Sequence, residues 1–201
     1  MENNNKIDCR GLNCPIPVVN TKKYFDGLTS GKGIIIVDND VAKNNLVKFA
    51  EGNGFKYEVD KKADDLFYVT ILKEANIENK SKVERIEGVE KMPFTIVVGS
   101  DKLGNGDDEL GTTLMKSYLF ALSEADVIPD NLLFLNGGVK LVCEDALTLD
   151  SIKKLEERGT KVQSCGLCLD FFGLKSKLAV GEVTNMYAII EMMNSGNTIK
   201  L

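Results

Sequence analysis

Between Ala75 and Met92 the chain turns polar, with isolated apolar residues at Ile77, Val83, Ile86 and Val89, and Pro93 closes the stretch. On each side stands a full set of apolar runs and turn signals. Two cores are therefore expected, in residues 1–74 and 93–201, joined by a linker over 75–92. A chain of 201 residues has room for two modest domains. Charge divides at the same places: the first segment and the linker each sum to zero, and the last carries the whole net charge of −5.

The first segment reads β-α-β-α-β-β. Ile7 to Cys9 forms a short strand, and a helix follows from Pro15 to about Phe25 with Val18, Thr21, Phe25 and Leu28 on one stripe. Ile34 to Val37 is a continuous apolar strand. Asp40 caps a second helix with Ala42, Leu46, Phe49 and Ala50 on one face. Phe55, Tyr57 and Val59, then Phe67, Val69 and Ile71, alternate as two strands around the Lys61–Asp65 turn. A two-layer α/β sandwich, one sheet under two helices, is expected.

The second segment alternates strand and helix. Strands are expected at Phe94–Val98, Leu132–Leu135, Lys161–Ser164 and Leu178–Val180. Helices are expected over Leu110–Ala125, with Leu114, Tyr118, Ala121 and Ala125 aligned, after Asp150, and after Thr184 with Met186, Ile189, Ile190 and Met193. Such alternation predicts crossovers, a mainly parallel sheet and three layers.

The chain has no histidine and five cysteines, Cys9, Cys14, Cys143, Cys165 and Cys168. Cys-His and Ser-His-Asp catalysis and every His-containing metal site are excluded within this chain. Net negative charge opposes nucleic-acid binding. Met1 to Lys6 is polar and no apolar run approaches ~18 residues, so a cytoplasmic protein without membrane contact is expected. An odd cysteine count in that setting points to reactive thiols rather than a disulfide framework.

In Cys14-Pro15-Ile16-Pro17 the two prolines suit only the first turn of a helix, which puts Cys14 at or beside its N-cap. The helix dipole, the free first-turn amides and the nearby Arg10 are expected to favour a thiolate there. Alone, the tetrapeptide favours a reactive thiol but also suits a small apolar residue ahead of a proline-started helix. With Asp8, Gly11-Leu12, Val18, Lys22-Lys23, the Gly33 strand and Asp40 with Ala42, however, it resembles the TusA (SirA-like) family of sulfur-relay proteins over residues 6–73. That resemblance implies that Cys14 receives sulfur from a partner's persulfide, such as that of a cysteine desulfurase, and passes it to an acceptor. Cys9 departs from the family pattern; it suits either a resolving thiol for Cys14 or a small buried residue, and the second is the reading preferred.

Cys165-Gly166-Leu167-Cys168 follows a strand, at the carboxyl end where α/β sheets place their chemistry. Two intervening residues allow a disulfide, half a zinc site, an attacking-plus-resolving pair, or two small core residues. Zinc would need Cys143 and a further ligand to converge, so no metal or cofactor is expected. Ser164–Leu174, Gly181–Met186, Val97–Asp101 and the glycines Gly104, Gly106 and Gly111 together resemble a DsrE-like domain over residues 93–195. The two-domain order resembles the YedF family of sulfurtransferase-like selenium metabolism proteins. This implies a persulfide on Cys165, with Cys168 as resolver or substitute, sulfur or selenium as cargo, and a homo-oligomer. Cys143 is read as structural.

The loop from Gly99 to Gly111 fits no nucleotide or calcium motif. Asn105 stands where a P-loop needs lysine, Glu109 where a dinucleotide fingerprint needs its third glycine, and Leu103 where a calcium loop needs a ligand. Asp107, Asp108 and Glu109 instead suit a helix start. The expected function is a sulfur carrier or transferase relaying a persulfide between Cys14 and Cys165/Cys168. Its rivals are a thiol–disulfide redox relay and a non-catalytic regulatory module.

Overall fold

A computed structural model describes residues 5–75 and 92–201, which fall into two compact units, one on each side of the intervening residues. The expected linker, 75–92, lies almost wholly outside the described residues. Among the described residues no helix is long and apolar enough to cross a membrane.

The first unit runs β1 (Lys6–Asp8), α1 (Ile16–Asp26), β2 (Gly31–Val37), α2 (Asp40–Gly52), β3 (Lys56–Ala63) and β4 (Leu66–Lys73). The sheet order is β1-β2-β4-β3, with β1 parallel to β2 and the other pairs antiparallel. Alternation decides its core: Ile35 and Val37 of β2 and Phe67, Val69 and Ile71 of β4 point to one face. There they meet Phe25 of α1 and Ala42, Leu46 and Ala50 of α2, so both helices cover the same side. A Cβ at Gly33 would lie 2.9 Å from the Tyr24 ring, which is how closely α1 sits on β2. Asn39, not Asp40, caps α2. Its extended backbone lets its side chain accept from the Ala42 N–H at 2.8 Å, while Asp40 lies in the first turn.

The second unit runs β5 (Phe94–Val98), α3 (Asp108–Glu124), β6 (Asn131–Phe134), a 3-10 turn (Asn136–Val142), α4 (Leu149–Glu157), β7 (Lys161–Cys165), α5 (Gly166–Phe171), a second 3-10 turn (Lys175–Lys177), β8 (Glu182–Thr184), α6 (Met186–Asn194) and β9 (Asn197–Lys200). The strand order is β8-β7-β6-β5-β9 and every pair is parallel. Ile96, Val98, Leu132, Phe134 and Val162 pack against Met115, Leu119, Ile152 and Leu155 of α3 and α4. On the opposite face Val97, Leu133 and Cys165 pack against Ile189 of α6, completing three layers.

Four local expectations differ from this unit. Leu178–Val180 is not a strand of the sheet: Leu178 makes only an isolated bridge to Cys143, and the fourth strand is β8. The chain turns onto β7 only at Gly181, where φ is +77° and a Cβ would lie 2.6 Å from Val162. The buried stripe of α3 is Gly111, Met115, Leu119 and Ser123, one residue round from the expected one, and Leu114 is 41% exposed. Both stripes are apolar enough to serve, and the close approach of Gly111 to Lys102 and Leu103 selects between them. Thr184 ends β8, and Asn185 caps α6 by accepting from the Ala188 N–H. Asp150 sits in the first turn of α4, whose N-cap position is Thr148. The short polar strand β9 has no sequence signal of its own.

Candidate thiol sites

The loop before α1 is tied to the end of β2. The Cys9 N–H donates to the Ile36 carbonyl at 2.8 Å, and the Gly11 N–H donates to Asp38 at 2.6 Å, with Gly11 in the left-handed region at φ +70°. Pro15 occupies the N-cap of α1 and Pro17 its first turn, so Cys14 stands immediately ahead of the helix. Its peptide bond to Pro15 is cis. The Cys14 side chain is exposed and opens onto a groove of about 290 Å³ lined by Leu12, Pro17, Val18, Val41 and Asn45.

Asn45, on α2, donates its side-chain amide to Cys14 Sγ at 3.8 Å. Arg10, expected as support for a thiolate, has its guanidinium on Asp8: Nε donates at 2.9 Å and Nη2 at 2.5 Å. That pair holds the Asp8 carboxyl down to about 2. Asn45 was not legible as a site residue, because nothing in the sequence relates it to a cysteine thirty-one positions earlier. Cys9 is fully buried in the core beneath, and burial raises its thiol pKa.

In the second unit β7 delivers Cys165 to the N-cap position of α5, and Cys168 follows within that helix. Cys165 is only 2% exposed, facing α6, while Cys168 is partly exposed. Cys168 packs against the apolar cluster that holds Cys165. Cys168 Sγ also accepts the Asn136 backbone N–H at 3.1 Å. Asn136, just beyond β6, holds a left-handed backbone at φ +45°. Two residues on, Gly138 presses so near the Val98 carbonyl that any Cβ there would collide with it.

The carboxyl ends of β6 and β7 therefore meet at Cys168. Across this end Lys140 pairs with Asp101 at 3.1 Å and lies 5.2 Å from the Phe172 ring centroid. Burial is the largest influence on the Cys168 thiol and raises its pKa; the neighbouring Cys165 adds to this and the Asn136 amide works against it.

By position, Cys165 and Cys168 come together and Cys14 belongs to the other unit. The accessible member of the pair is Cys168, although resemblance had favoured Cys165 as carrier. Cys143 is buried and donates its S–H to the Val139 carbonyl at 3.1 Å. Asp107 caps α3 by accepting from the Leu110 N–H at 2.9 Å, with Asp108 and Glu109 in the first turn. Among the described residues no three His, Cys, Asp or Glu side chains gather as a metal site.

Residues 5–73 match the family model described as sulfurtransferase TusA. The chain is 35% identical over 69 residues to a Methanocaldococcus jannaschii protein named "Putative sulfur carrier protein MJ0990", a match spanning 34% of this chain and 92% of that relative. The crystal structure of a SirA-like protein from Desulfitobacterium hafniense is 40% identical, covering 33% of this chain and 93% of its own, with a TM-score of 0.32. The ychN protein of E. coli is 13% identical, covering 55% of this chain and 100% of its own, with a TM-score of 0.43. Through its first unit, which carries Cys14 ahead of a proline-started helix, the chain belongs to the sulfurtransferase TusA family.

Proposed function

We propose that this chain is a cytoplasmic sulfur carrier that holds a persulfide on Cys14 and passes the sulfur on to the Cys165/Cys168 site. The observation that carries the reading is the position of Cys14, an exposed thiol directly in front of a helix and open to a groove. A nucleophile there can meet a persulfide presented on a partner's loop. The Cys14 thiolate attacks the outer sulfur of that persulfide, the S–S bond of the donor breaks, and the donor cysteine departs as a thiolate. A donor of the cysteine desulfurase class supplies such a group. The family membership and the relative named as a sulfur carrier support the cargo, and the resemblance to selenium metabolism proteins extends it to selenium.

Having both thiol sites on one chain, in domains taken as 1–74 and 93–201, raises the effective concentration of one for the other. Leu167 and Phe171, one turn apart on α5 and 79% and 82% exposed, support association into a homo-oligomer. Incubation with a cysteine desulfurase and cysteine should add the mass of one sulfur to the peptide containing Cys14. Cys14→Ala should abolish that gain, and an unchanged gain on the variant would refute the assignment. Asn45→Ala is expected to slow loading by several-fold while leaving the labelled peptide the same.

A further inference from the structure

We propose that Cys165 discharges sulfur held on Cys168 as hydrogen sulfide, closing a Cys165–Cys168 disulfide. The inference rests on the carrier reading and adds the form in which the cargo leaves. Burial divides the roles. Cys168 is partly exposed and can meet an incoming persulfide, whereas Cys165, 2% exposed, is shielded from one. Yet Cys168 packs against the apolar cluster that holds Cys165, at the start of the same helix, so the shielded sulfur is already beside the one that loads. Their spacing, at the start of a helix, is one that a disulfide can bridge.

The Asn136 N–H, 3.1 Å from Cys168 Sγ, is a fixed donor that draws electron density from the sulfur that Cys165 attacks. Its aim is set by the left-handed Asn136 backbone and the close contact of Gly138 with β5, so no reorientation is needed during reaction.

In the step itself Cys165 Sγ attacks the inner sulfur of the Cys168 persulfide. The Cys165–Cys168 bond forms as the bond from inner to outer sulfur breaks, and the outer sulfur takes the electron pair. With its own proton and the one given up by Cys165 it leaves as hydrogen sulfide. The thiol pair is oxidised and the transferred sulfur is reduced, so a single turnover balances without another reactant. An external dithiol reductant reopens the disulfide for the next cycle.

The test uses the full-length Cys14→Ala chain, reduced and then given one equivalent of glutathione persulfide. Sulfide is read with a bimane trap and thiol state by peptide mass spectrometry. About one sulfide per chain is expected, with the Cys165–Cys168 peptide lighter by two hydrogens. Adding Cys165→Ser should leave the sulfur on Cys168 and slow release by at least about tenfold, and the retained sulfur itself reports a folded site. Adding Cys168→Ser should prevent uptake at this peptide. Release from the Cys165→Ser chain at the parent rate, or a parent chain that keeps an added sulfur on Cys168, overturns the proposal. Loading of Cys14 by a desulfurase is measured separately on the unsubstituted chain. Its failure would remove the carrier reading without touching the sulfide result.

Discussion

Cys14 and Cys168 differ in what surrounds the sulfur. Cys14 is exposed at the groove with an amide from Asn45 nearby, whereas Cys168 lies between a buried thiol and a backbone N–H. Burial disfavours the charged form, so the Cys168 thiolate appears at higher pH than that of a free thiol. Only the thiolate reacts with an alkylating reagent, so at neutral pH Cys168 should react more slowly than N-acetylcysteine. Its rate should go on rising at pH values where the small thiol has already levelled off. Peptide mapping after iodoacetamide at graded pH checks this, and denaturant should return the ordinary profile. The same residue scale shows the limit of reading charge from sequence order: Arg10 is near Cys14 in the chain, but its guanidinium lies on Asp8.

Helix starts and close-packed turns hold these sulfurs in place. Asn39 satisfies a first-turn amide of α2, the helix that carries Asn45 toward Cys14. Asn39→Ala should destabilise the first unit by about 1 kcal/mol. For a domain of this size that lowers the melting temperature by about 4–8 °C, measurable by calorimetry. Gly138 has the opposite vulnerability, too little room rather than a lost partner. Gly138→Ala forces the turn after β6 away from Val98, at a cost of about 1–3 kcal/mol. Because that turn carries Asn136, the variant should also lose the 3.1 Å contact to Cys168. Faster or slower alkylation of Cys168 relative to the unsubstituted chain would register the change; an unchanged rate and stability would contradict it.

On the scale of the whole molecule, each unit closes its own apolar clusters. Leu46, fully buried between α2 and the first sheet, has a counterpart in Leu132 at the centre of the second. Leu46→Ala should cost the first unit about 2–5 kcal/mol, and Leu132→Ala the second by a similar amount. Hydrogen exchange followed by mass spectrometry should show the loss of protection in the unit that carries each substitution.

The order of strands and helices in the first unit was legible because each depends on local periodicity: Ile34 to Val37 as a buried strand, Ala42, Leu46 and Ala50 as one face of a helix. The place of Cys14 was legible too, since proline chemistry confines Pro15 and Pro17 to a helix start whatever packs around them. Choices among equally apolar or equally polar options were not. Which stripe of α3 is buried, whether Asn39 or Asp40 caps α2, and that Asn197–Lys200 adds a strand beside β5 depend on partners distant in sequence. Burial of Cys165 against α6, and the reach of Asn45 and Asn136 to two different sulfurs, likewise arise only when separate elements fold together. Local sterics act along the chain and can be read from it, whereas accessibility and hydrogen-bond partnership are properties of the packed whole.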